Sequence, residues 1–364
     1  MSPFLYEPVR EGEPVRFSLA SPEPLPAGLL AHTRHVFSSA CKEVAERSPE
    51  VPGLQTLSLF GVAKSDAAAL ELLRDELRGP ALALGVDCAL TRGKMAERGP
   101  RLIVSDVDST FIRGEAIDML ADAVGSGSRV AAITEAAMNG ELDFAESLAE
   151  RVATLAGLPV DRVESIADRI EPVPGAATLV TTAHARGCAI GLVSGGFIEV
   201  IGGMARRLGV DHVLANRLET SGGTLTGRTK GEIVTRERKA EALRRWSEGG
   251  SLPGADLPGG SKFSEDSILP EGSDFPLEDR ARESADSRSG GGFSRSGGFS
   301  SPRMRIDLSE TVAAGDGAND LSMMEIAGLS VAVCAKPAVL AAADAAVTRP
   351  RLDILAAILG WDAV

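Results

Sequence analysis

Four short apolar runs, each closed by Gly, Ser or Asp or leading into a helical stretch, constrain this chain more than any other feature. They are LIVSD at 102–106, AIGLVSGG at 189–196, TVAAGDG at 311–317 and LSVAV at 329–333. Repeated strand-to-helix units of this kind predict an α/β fold, a Rossmannoid parallel sheet with helices on both faces. In such sheets ligands sit at the carboxyl ends of the strands, so the polar residues that close these runs are the first candidates for function.

The first run ends in DVDST, which places Asp106 and Asp108 where the backbone leaves the sheet and both carboxylates can turn toward one site. Charged carboxylates so close repel each other; a divalent cation can hold one ionised while the other serves as a proton donor. In the second run Ser194 is followed by Gly195 and Gly196, a hydroxyl and uncovered backbone N–H groups at a helix start, which suit a phosphate. The third sets Asp316 between two glycines, with Asn319 and Asp320 opening the next helix, and offers the further hard oxygen ligand that a magnesium site needs. Lys239, in RERKAEAL, precedes it. Taken singly, these are also what an acidic turn, a helix cap, a tight turn and a solvated lysine look like. Their order along the chain, with three of them at strand ends, favours a shared site.

DVDST, LVSGGF, the lysine of RERKAEAL and GDGANDLSM resemble, in that order, the four motifs of the haloacid dehalogenase superfamily of phosphatases, and most closely its phosphoserine phosphatase family. The resemblance covers residues 101–247 and 304 to about 350. It includes GEAIDMLA and MNGELDFAESLAERV, similar to that family's substrate-binding segments. It implies that Asp106 is a nucleophile forming an aspartyl phosphate, and that Asp108 protonates the leaving serine oxygen and then activates water. It makes Asp106, Asp316 and the backbone carbonyl of Asp108 the ligands of Mg2+. Ser194, Lys239, Asn319 and the Gly195 N–H would surround the transferring phosphoryl group, Glu115 and Arg151 would orient the serine ammonium and carboxylate, and Phe144 would close the pocket. The implied reaction is Mg-dependent hydrolysis of O-phosphoserine to serine and phosphate, the last step of serine biosynthesis. A phosphatase or phosphotransferase for another small phosphomonoester remains open, as does a non-catalytic amino-acid sensor.

Around this core the sequence suggests three further regions. Residues 1–30, rich in Pro and Glu, read as an irregular lead-in. Residues 31–98 read as a small α+β regulatory unit, only weakly similar to ferredoxin-like (ACT-like) domains, with a helix at 36–46, a strand at 57–62, a helix at 66–77 and a strand at 82–90. The phosphatase-like region then runs over 99–364, with about sixty mostly helical residues, 115–170, as a cap. Between 248 and 303 the chain is crowded with Gly, Ser, Pro and Asp, including the imperfect repeat SRSGGGF and SRSGGF from Ser287 and Ser294. Such a composition buries too little apolar surface to offset the entropy of ordering, and it reads as a disordered spacer.

Composition excludes several functions. With 38 Lys+Arg against 51 Asp+Glu, the formal charge of −13 disfavours nucleic acid and anionic membranes as partners and leaves a small-molecule substrate. The four cysteines form no CxxC pair, so neither a disulfide framework nor a zinc knuckle is expected and a reducing cytoplasm fits. The N-terminus lacks the pattern of a signal peptide, and no apolar run is long enough to span a bilayer. Oligomeric state stays open, a homodimer included.

Overall fold

The computed structural model describes residues 11–64, 68–138, 141–252 and 305–364. The first unit has the order β1 (Pro14–Ser21), α1 (Ala27–Ala40), β2 (Cys41–Arg47), β3 (Gln55–Ala63), α2 (Ala68–Ala83) and β4 (Asp87–Arg92). Its strands pair antiparallel in the order β2-β3-β1-β4, the βαββαβ arrangement of ferredoxin-like folds. Strand β1 falls inside the span expected to be irregular, and it is central rather than peripheral: it is bonded on both sides and buries Val15, Phe17 and Leu19. The expected helix at 36–46 is also redrawn. Helix α1 stops at Ala40, and Cys41–Arg47 pairs along β3 as an edge strand. The leucines expected to open a strand at 82 lie at and just beyond the end of α2, and β4 begins only at Asp87.

A short helix α3 (Gly93–Arg98) leads into β5 (Leu102–Ser105). Four helices follow over the stretch expected as a cap: α4 (Ala116–Ala123), α5 (Gly127–Met138), α6 (Phe144–Ala153) and α7 (Val160–Ala167). Helix α6 starts with a capping box, in which Asp143 accepts from the Glu146 N–H at 2.8 Å and Glu146 accepts from the Asp143 N–H at 2.9 Å. The chain then returns through α8 (Ala176–Ala185), β6 (Ala189–Phe197), α9 (Ile198–Leu208), the hairpin β7 (His212–Ser221) and β8 (Thr224–Lys230), and α10 (Arg236–Ser247). After the undescribed segment come β9 (Thr311–Gly315), α11 (Leu321–Met324), β10 (Leu329–Val333), α12 (Pro337–Ala342), β11 (Ala345–Val347) and α13 (Asp353–Ile358). Both the low-complexity stretch, from 253 on, and its repeat lie outside the described residues.

Strands β11, β10, β9, β5, β6 and β7 run parallel in that order, as the strand-to-helix repeats predict. Their side chains alternate between two cores. Ile103 packs with Leu179, Ile198 and Ile354 beneath α8, α9 and α13, whereas Leu102 and Val104 pack with Leu243, Met323 and Val339 beneath α10, α11 and α12. Strand β11 also meets β4 antiparallel at Ala346 and Cys88, so both units share one eleven-stranded sheet. At the far edge β8 pairs antiparallel with β7, and the hairpin is hydrogen-bonded to the connection between α6 and α7, Gly157 N–H to the Leu225 carbonyl and Val160 N–H to the Gly223 carbonyl.

Candidate active site

Strand β5 ends by donating the Asp106 N–H to the Ala314 carbonyl of β9 at 2.8 Å, which sets Asp106 beside the loop that carries Asp316. The chain then turns sharply. Ser109 is held in the left-handed region, φ 58°, with its N–H on the Gly114 carbonyl, and the Phe111 and Ile112 N–H groups both reach the Val107 carbonyl. This turn keeps the side chains of Asp106 and Asp108 near the sheet end while burying Phe111 and Ile112 in the core.

Asp108 is fully engaged. One carboxylate oxygen accepts from the Ala116 N–H at the start of α4 (2.7 Å) and the other from the Ser194 hydroxyl (2.7 Å). Ser194 in turn accepts from the Gly196 N–H at 2.7 Å. The second glycine is a steric requirement: a Cβ at Gly196 would lie 2.7 Å from Asp108 Oδ2 and 3.0 Å from Ser194 Oγ. Gly195 faces the cap, with the Phe144 ring edge 3.5 Å from where its Cβ would stand.

Lys239 projects from α10, whose N-cap Thr235 accepts from the Arg238 N–H. Its ammonium is buried and bonds to Asp106 and, at 2.7 Å, to Asp320. Asp320 also accepts from the Gly317 N–H at 3.0 Å, folding the Gly-Asp-Gly loop back on itself, and a Cβ at Gly315 would lie 2.4 Å from its carboxyl. Oxygens of Asp106, Asp316 and Asp320 all lie within 4.8 Å of one another. Burial pushes the Asp106 carboxyl well above the usual range; Lys239 pulls it back, and Asp320 and Asp108 push it up again. Burial and Asp320 raise Asp316. Burial works against the Lys239 ammonium, but Asp106 and Asp320 outweigh it and hold the amine charged. Three convergent acids facing one lysine leave excess negative charge, and their donors are all hard oxygens: the chemistry of a divalent-cation site.

The helices that follow β5 carry three further candidates, Glu115, Phe144 and Arg151. Glu115, at the N-cap of α4, accepts from the Ser109 hydroxyl at 3.1 Å, and burial followed by Asp108 raises its carboxyl. Arg151 on α6 is half-buried, which lowers its pKa, while Glu115, Asp118 and Asp108 oppose that shift. Phe144 is 42% exposed at the rim. Asn319 is exposed on the 3-10 turn between Asp316 and Asp320. Sequence reasoning noticed Asp320 only as a helix start and passed over Asn216 altogether. Asn216 lies 2% exposed in the apolar strand HVLANRL, where a buried amide without a turn or cap to explain it is itself a signal.

Comparison with known proteins bears on the family and the fold. Two haloacid dehalogenase-like hydrolase family models match residues 103–253 and 300–353. A phosphoserine phosphatase of Lactococcus lactis is 38% identical over 248 residues, which is 68% of this chain and 89% of that protein. The chain belongs to the phosphoserine phosphatase family of haloacid dehalogenase-like hydrolases. Another member of that family, from Mycobacterium tuberculosis, is 41% identical over 76% of this chain, and the match spans only 54% of that relative's length. Among solved structures, a phospho-aspartyl intermediate analogue of phosphoserine phosphatase is 32% identical, with a TM-score of 0.52 over 70% of this chain and 97% of its own. The haloacid dehalogenase-like sheet with its helices is thus the frame on which the aspartates described above are set.

Proposed function

We propose that this protein is a Mg-dependent phosphatase that hydrolyses O-phosphoserine through an aspartyl phosphate on Asp106. The observation that carries this reading is the convergence of buried Asp106 and Asp320 and partly exposed Asp316 beside Lys239 at the ends of β5 and β9. Asp106, Asp316 and the Asp108 carbonyl would hold the cation, with Asp320 completing the acidic cluster and anchoring Lys239. Held there, Mg2+ would neutralise the carboxylates and draw charge from the phosphoryl oxygens.

In this mechanism Asp106 attacks phosphorus and the bond to the serine oxygen breaks as Asp108 donates a proton to it. Asp108 next takes a proton from the water that attacks the aspartyl phosphate, releasing phosphate and restoring Asp106. The Ala116 N–H and the Ser194 hydroxyl fix the Asp108 carboxyl for both halves. Ser194, Lys239, Asn319 and the Gly195 N–H stabilise charge on the transferring group. Glu115 takes the substrate ammonium, Arg151 its carboxylate, and Phe144 shields the pocket. The names of the relatives support serine as the leaving group. The free cysteines Cys41, Cys88, Cys188 and Cys334 support work in a reducing cytoplasm.

The test is phosphate release from phosphoserine, phosphothreonine, sugar phosphates and p-nitrophenyl phosphate, with Mg2+ and with EDTA. Phosphoserine is expected to give the highest kcat/KM, and EDTA to abolish release. A preference for sugar phosphates would overturn the substrate, and full activity in EDTA would overturn the metal.

A further inference from the structure

Resting on that reading, we infer that Asn216 is a positioning residue that locks the phosphate-binding turn and links it to the lysine-bearing helix. Its side-chain amide donates to the Gly195 carbonyl at 2.7 Å, and its side-chain oxygen accepts from the Val234 N–H at 2.8 Å. The Gly195 carbonyl and the Gly196 N–H belong to one peptide group. That peptide is therefore held at both ends, its oxygen by Asn216 and its N–H by the Ser194 hydroxyl at 2.7 Å. Because a peptide is planar, fixing both ends fixes its rotation, and with it the direction in which Ser194 presents its hydroxyl to Asp108. A glycine pair needs such a restraint, since its backbone is otherwise the most permissive in the chain.

The other end of Asn216 reaches the segment before α10. Val234 lies one residue ahead of the N-cap Thr235 and five ahead of Lys239, which bonds to Asp106. One buried amide thus spans the two halves of the chemistry, the Ser194–Asp108 pair and the Lys239–Asp106 pair. Asn216 is almost fully buried, so its hydrogen bonds form away from competing water and their loss leaves both partners unsatisfied. Register agrees: the regular β6–β7 pairing is interrupted between Ser194 and Phe197, and the amide of Asn216 fills the gap where strand-to-strand bonds are interrupted.

The test uses the full chain and two variants. Asn216→Ala removes both hydrogen bonds. Asn216→Asp keeps an acceptor for Val234 but turns a carboxylate oxygen toward the Gly195 carbonyl. Both are expected to lower kcat for phosphoserine by about tenfold or more with KM changed by less than about threefold, because the loss falls on the transition state. Wild-type kcat in Asn216→Asp would show that Asn216 merely ties down Val234 and would overturn the inference. Amide exchange of Gly196 in the wild-type protein tests the restraint even where the variants fold poorly: slow exchange supports it and loop-like exchange refutes it. Failure of the wild-type enzyme to release phosphate from any phosphomonoester would strike the proposed function instead, leaving the Gly196 measurement to judge the restraint on its own.

Discussion

Two sets of largely desolvated aspartates sit on the same sheet and face opposite kinds of partner. Where β4 meets β11, Asp344 accepts from the Ser330 hydroxyl (2.6 Å) and N–H (3.1 Å) and pairs with Arg74, while Asp87 takes the Thr348 N–H and hydroxyl. Around β5 and β9, Asp106, Asp316 and Asp320 instead face one another, and Lys239 is the cation bonded to two of them. Burial raises the carboxyls of Asp87, Asp344, Asp106 and Asp316 alike, so desolvation alone does not separate an acid held by strand donors from one proposed to act on substrate or metal. The difference lies in what each carboxylate faces. Donors on a neighbouring strand satisfy the Asp344 oxygens and Arg74 balances their charge, whereas acids turned toward acids must share a proton or hold a cation between them.

The sharpest way to break this contrast is Asp106→Asn, which should lower kcat by about four orders of magnitude or more while the protein keeps its fold, as read by phosphate release and circular dichroism. Residual turnover near the wild-type rate would place the nucleophile elsewhere. The next test is metal linkage. Mg2+ at about a hundredfold excess over its Kd should stabilise the wild-type fold by about 2.7 kcal/mol, a shift of several degrees in Tm, and Asp316→Asn should lose most of it. Equal shifts in both proteins would move the cation away from this cluster. In the opposite direction, Asp344→Ala should cost about 2–4 kcal/mol in urea unfolding because it removes the acceptor of the Ser330 hydroxyl and N–H and one of the two carboxylates beside the largely buried Arg74, yet leave kcat per folded molecule unchanged. Lost catalysis with intact stability would erase the distinction between the two sets. The smallest effect expected is from replacing residues 253–304 with about twenty Gly and Ser residues, under about 1 kcal/mol in the same assay, since closure entropy varies by about 0.6 kcal/mol per doubling of length.

How much of this could be read from the residues follows the same division. The site was legible where chemistry and strand ends coincide: Asp106, Asp108, Ser194 and Asp316 each close an apolar run, and the apolar runs are buried on both sides as parallel strands require. Asp320 was harder to assign because an acid opening a helix has an ordinary capping explanation, and only the fold shows it reaching Lys239. Asn216 was missed because its partners, Gly195 and Val234, lie 21 and 18 residues away and leave no local pattern. The N-terminal unit was misjudged for another reason. KEVAER is built of good helix formers, and only pairing with β3 makes it a strand; PVRFSLAS follows a run of Glu and Pro that masks a central strand. Tertiary pairing overrode local preference in both places.

The base of the low-complexity stretch has its own consequence. The Ile306 N–H bonds to the Ser247 carbonyl at 2.7 Å, and Leu252 is tucked into the core beside Trp246 and Leu243. Exit and re-entry of the polypeptide are therefore stapled shut at the floor of the helix that supplies Lys239. A change in the number of residues between these two points is therefore expected to leave Lys239 where it stands.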